Sequence, residues 1–102
     1  FWGQELDKAL ADCSAAVRLS RGADVTLSRR GLVHLRMGDY AAAIADEQAC
    51  LAKSPQDPFA LYVMGIAETR SGQESLGKAD MAKATTLDAP LVEQLAVFAK
   101  NG

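Results

Sequence analysis

Histidine is nearly absent from this chain, with His34 the single copy, and cysteine is scarce, with only Cys13 and Cys50. The two cysteines show no CxxC or Cys/His spacing, which argues against a metal centre and against thioredoxin-like redox chemistry. A hydrolytic triad needs a nucleophile beside a base and an orienting acid, and no motif of that kind surrounds His34. The reading is therefore of a protein that is not an enzyme and uses no metal or cofactor. No apolar run approaches the roughly 20 residues that span a bilayer, so no membrane insertion is expected. Runs of one charge are missing too: 13 acidic and 11 basic residues are dispersed and give a formal charge of -2, without the basic footprint that nucleic acid requires. Phe1 stands where a start methionine would, so any targeting segment is expected to lie upstream, and the compartment is left open.

What is present is alanine, leucine and regularly placed glycine. Hydrophobic residues make up 49% of the 102 residues, enough for one domain with a core of its own. Displacing the sequence against itself by 34 residues aligns Ala11-Asp12, Ala45-Asp46 and Ala79-Asp80. Ala9, Ala43 and Gly77 fall at a second phase, and Ala16, Cys50 and Ala84 at a third. Leu27 matches Leu61, Gly31 matches Gly65, and Gly38 matches Gly72, so the repeated unit is longer than one helix.

Local signals divide each unit into two helices. Leu6, Leu10, Cys13 and Val17 recur at three- and four-residue steps over about 5–19, and Arg21-Gly22 stops that helix. The next is expected to begin after Asp24, with that carboxylate as its cap, and to carry Leu27, Gly31, His34 and Leu35 inward. Gly38-Asp39 marks a turn before a stripe of Tyr40, Ala43, Ile44 and Leu51 that runs to Lys53 and Ser54-Pro55. A helix over 58–70, a turn at Ser71-Gly72 and a helix over 73–87 repeat the pattern. Pro90 then opens a last helix with Leu91, Leu95 and Phe98 on one stripe, ended by Asn101-Gly102.

This pattern resembles the tetratricopeptide repeat family, whose template reads W-x2-L-G-x2-Y, A-x3-F and P over 34 residues. One copy reads Leu27-x2-Arg30-Gly31-x2-His34, then Ala43, Glu47 and Pro55; the next reads Leu61-x2-Met64-Gly65-x2-Glu68, then Gly77, Met81 and Pro90. The stretch 27–55 is similar to many bacterial members. The resemblance implies an all-α single domain of tandem helix-turn-helix repeats in a right-handed superhelix. Half a repeat covers 3–22, full repeats cover 24–55 and 58–89, and a capping helix covers 90–100. The large aromatic positions of the template are held by Leu27, His34, Glu47, Leu61, Glu68 and Met81, which implies looser packing there.

In such proteins the first helix of each repeat lines a concave groove that binds a segment of another protein. The resemblance puts Val25, Ser28, Leu32, Leu35 and Arg36 there from one repeat, and Phe59, Tyr62, Ile66, Thr69 and Arg70 from the next. Arg36 and Arg70, one period apart, are placed to hold a carboxylate, or simply to suit the negative end of a helix. Tyr62 serves either the groove or the core. Leu32 and Ile66 follow the repeat glycines where a chaperone-tail clamp would need hydrogen-bond donors, so that role is disfavoured. His34 reads as a partly buried core residue, Arg29-Arg30 as a solvated face, and the two cysteines as unpaired. The other reading is structural: Phe1, Trp2 and Leu6 on an uncovered first helix drive self-association, a homodimer being the simplest outcome.

Overall fold

A computed structural model describes the backbone of residues 2–101 and the side chains of residues 5–97. Six α-helices account for the described fold, and no strand occurs among the described residues. They are α1 (Trp2–Leu19), α2 (Asp24–Met37), α3 (Tyr40–Lys53), α4 (Pro58–Arg70), α5 (Glu74–Leu87) and α6 (Ala89–Asn101). Each helix packs on the next, and α2 and α6 also reach α4 across the layer. The helix starts carry the sequence period: α2 and α4 begin 34 residues apart, as do α3 and α5.

The junctions follow from local chemistry. Gly38 ends α2 at φ 82°, a left-handed conformation that costs a residue without Cβ little, and Asp39 then caps α3 by accepting from the Ala42 N–H at 3.2 Å. Asp57 caps α4 with one carboxylate oxygen, taking the N–H groups of Phe59 at 3.0 Å and Ala60 at 3.3 Å, while Pro58 occupies the first turn. Asp24 departs from the expectation. Helix α2 starts at Asp24 itself, and the cap residue, Ala23, offers no side-chain hydrogen bond to the first turn. The Asp24 carboxylate instead accepts from its neighbour's N–H and from the Ser54 hydroxyl, tying the start of α2 to the end of α3.

The main core gathers Leu35, Ala43, Leu61, Tyr62, Val63, Met64, Ile66, Ala67, Ala84 and Val92, and a smaller cluster joins Leu27, Cys50 and Ala60. On α6 the buried residue is Val92, with Leu95 and Leu91 half-buried; Phe98 lies outside the described side chains.

Of the six positions expected to pack loosely, His34 and Met81 are half-buried and the other four are buried. Leu27 and Leu61 are buried, Glu47 is 0% exposed and Glu68 is 3% exposed. A Cβ on Gly31 would fall on the Glu47 carboxyl, 2.8 Å from its Cδ, so the missing side chain of one residue accommodates the other. In the second repeat Gly65 and Gly77 face each other, and a Cβ on Gly65 would sit 2.8 Å from the Gly77 carbonyl oxygen. The backbones of α4 and α5 therefore approach closely.

Candidate functional site

The seam between α2 and α4 holds two depressions. The larger, about 290 Å³, is lined by Leu32, Leu35 and Arg36 of α2, by Tyr62, Val63, Ile66 and Arg70 of α4, by Tyr40 at the start of α3 and by Leu95 of α6. Its floor is apolar, since Leu35, Tyr62 and Ile66 belong to the core, and the arginines stand at its border. The smaller, about 190 Å³, lies nearer the N-terminal ends of the same two helices, between Val25, Ser28 and Arg29 of α2 and, facing them, the cap residue Asp57 and Phe59 of α4.

The expected groove residues therefore divide into two groups. Leu32, Arg36, Tyr62, Ile66 and Arg70 meet in the larger depression, and Val25, Ser28 and Phe59 meet in the smaller. Thr69 turns inward, its hydroxyl donating to the Gly65 carbonyl oxygen at 2.8 Å. Tyr62 joins both readings, being a core residue that also shows a face to the cleft. Sequence reasoning missed Tyr40, Leu95, Arg29 and Asp57. Tyr40 and Leu95 come from helices outside the pair considered, and Asp57 stands just before α4, outside the residues the groove was drawn from.

Behind the seam lies a layer of buried charge. Arg30 donates two hydrogen bonds to the Asp46 carboxylate, at 2.9 and 2.7 Å, and His34 Nε2 stands 3.4 Å from the same group. The expectation that Arg30 is a solvated surface cation fails here. A carboxylate 6% exposed needs a charged partner, and the half-buried Arg30 faces Asp46 across the α2–α3 interface. One period later the slot is refilled: Met64 replaces Arg30, Glu68 replaces His34, and Asp80 replaces Asp46. Burial, joined by the hydrogen bond and the charge of Asp80, pushes Glu68 up to about 8.

Glu47 is the most deeply placed acid. Burial pushes it up to about 9, with the negative charges of Asp46 and Asp57 acting in the same direction. The Ser28 hydroxyl is near enough to draw it back toward the charged form, yet Ser28 Oγ and both Glu47 oxygens reach hydrogen-bond geometry with no described group. Cys50, buried beside them, aims its thiol at Asp57 at 3.7 Å, and burial holds that thiol up at about 12. Both cysteines are unpaired. Among the described residues no three His, Cys, Asp or Glu side chains come together as a metal-holding group, and no helix is long and apolar enough to cross a membrane.

No protein-family model matches this chain, and no curated protein matches it in sequence.

Proposed function

We propose that the chain is a tetratricopeptide-like interaction module that holds a segment of another protein along the α2–α4 seam. The carrying observation is the cleft of about 290 Å³, whose apolar floor of Leu32, Tyr62 and Ile66 is bordered by Arg36 and Arg70. Support comes from the helix starts at 34-residue intervals and from α6, which packs beside α4 as α4 packs beside α2. In this reading the repeats wind into a right-handed superhelix, α6 covers its last face, and Tyr62 with Ile66 forms the anchor pocket for an apolar side chain.

Because Tyr62 belongs to the core, truncating it confounds binding with folding. Half-buried Leu32 is the better probe. Peptides selected from a random display library on the intact chain should lose more than about tenfold in affinity on Leu32→Glu, while circular dichroism keeps its helical signal. Selected peptides indifferent to that change would remove the cleft from the function.

One observation favours the second reading, self-association. Leu19 is 84% exposed at the end of α1, and among the described residues the helix contacts of α1 are with α2. Sedimentation velocity over a concentration series tests it: a dimer lost on Leu19→Ser supports it, and a constant monomer removes it. Phe1 and the Trp2 side chain, on which the sequence expectation leaned, lie outside the described residues.

A further inference from the structure

The smaller depression has an unusual floor. Its walls are apolar, with Val25 on one side and Phe59 on the other, but its base carries Ser28, only 3% exposed and without a hydrogen bond to any described group. Behind Ser28 lie both unbonded oxygens of Glu47. The Asp57 carboxylate forms part of the wall. Its Oδ1 accepts two backbone N–H groups, whereas Oδ2 faces only the Cys50 thiol at 3.7 Å and keeps acceptor capacity.

Buried polar atoms are satisfied in the great majority of folds, and each unsatisfied one asks for an explanation. The open valences are Asp57 Oδ2, an acceptor, the Ser28 hydroxyl, which both accepts and donates, and the Glu47 carboxyl, which carries a proton at neutral pH and keeps one acceptor oxygen. They gather at the end of a short apolar passage. The group that completes such a site carries several N–H donors on an aliphatic stem.

From this geometry we infer that the depression receives a lysine side chain of the bound segment, its stem between Val25 and Phe59 and its ammonium on Ser28 Oγ and Asp57 Oδ2. Ser28, accepting from the ammonium, turns its own proton toward Glu47 and so relays the contact inward. Arg29 on the rim opposes a cation and favours entry of a slender group over a second guanidinium. This assignment rests on the reading of the α2–α4 seam as the partner-binding face, and it adds a spacing. Phe59 and Ile66 lie roughly 10 Å apart along α4, which an extended segment covers in about three residues, so the lysine stands about three residues from the apolar anchor.

Small probes separate the lysine site from the rest of the seam. Titrating the whole chain with n-butylammonium, butan-1-ol or butyrate and following backbone amide resonances should give saturable shifts at Val25, Ser28 and Phe59 with n-butylammonium in clear preference. Ser28→Ala should weaken that binding about fivefold. Arg29→Gln, an exposed change that leaves folding intact, should strengthen it about twofold. Equal shifts with butan-1-ol would reduce the site to an apolar dimple, preference for butyrate would hand it to Arg29, and no saturation would leave a hydrated hollow. Each of these overturns the lysine assignment. None touches the peptide selection with Leu32→Glu, so the two readings fail separately.

Discussion

Gly31 of α2 and Glu47 of α3 share one space: the glycine has no side chain because the glutamate's carboxyl lies where it would go. In an isolated helix Gly→Ala is favourable by about 0.5–1 kcal/mol. Here the added methyl overlaps the carboxyl, and overpacking of that kind costs about 1–3 kcal/mol. Gly31→Ala should therefore lower the urea unfolding free energy by about 1–2 kcal/mol. In a Glu47→Ala background the overlap is gone, and the same change should become neutral or stabilising. A stabilising Gly31→Ala in the unaltered chain would show that the two residues do not compete.

Stability should decline as pH rises. Glu47 and Glu68 ordinarily titrate at 4.5 but are pushed up to about 9 and about 8 in the fold, chiefly by burial. With the folded value above the unfolded one, the folded state keeps a proton that the unfolded state has released. Stability is then full below about pH 4.5 and is lost progressively up to the folded values, at most about 1.4 kcal/mol per pH unit for Glu47. Glu68, raised less far than Glu47 and sharing its site with Asp80, contributes a smaller share in the same direction. Asp24, lowered by the Ser54 hydroxyl, acts in the opposite sense, its support being lost only as pH falls below 3.8. Urea midpoints at pH 5 and pH 8 should differ, and Glu47→Gln should shrink the difference. Equal midpoints would be incompatible with a buried, protonated Glu47.

The Arg30–Asp46 pair invites an exchange between repeats. Arg30→Met installs the residue found one period later, at Met64, and leaves Asp46 with His34 alone. The loss should be about 1–3 kcal/mol, the guanidinium being partly exposed. Following it with Asp46→Ala should cost less than the same change in the unaltered chain, because the stranded charge goes with it. Strict additivity of the two in chemical denaturation would mean that the pair is not coupled.

Thiol labelling should distinguish the cysteines. Cys50 is fully buried with its thiol held up at about 12, whereas Cys13 is half-buried on α1. Mass spectrometry after brief maleimide treatment at pH 7 should find one adduct, on Cys13, in the folded chain and two in urea. Early modification of Cys50 would show that the α3–α4 junction opens readily.

Much of the fold was legible because punctuation and periodicity coincide. Ser54-Pro55 and Ser71-Gly72 bracket α4, and the helix runs from Pro58 to Arg70 as expected. Asp24 misled because a capping side chain competes with tertiary partners, and Ser54 is 30 residues distant in sequence. Arg30 misled for a similar reason. An arginine in a charged run looks solvated until the fold brings Asp46 against it, which no local pattern announces. Glu47 and Glu68 stood out in the sequence only as substitutions at aromatic positions; their burial arises from neighbouring helices. The division of the seam into two depressions was also invisible, since Tyr40 and Leu95 reach it from elements outside the α2–α4 pair.

Every residue from Ala60 to Glu68 is buried, with only the edge of Tyr62 and Ile66 shown to the cleft, and α4 touches α2, α3, α5 and α6. In a nascent chain that helix emerges before α5 and α6 have been made, with half of its surroundings absent. Its apolar sides then stay uncovered until the polypeptide has grown past α6, and this interval is when a chaperone or a neighbouring nascent chain meets the molecule at its stickiest. Slowing translation across α5 should lengthen that exposure and raise misassembly without altering the finished protein at all.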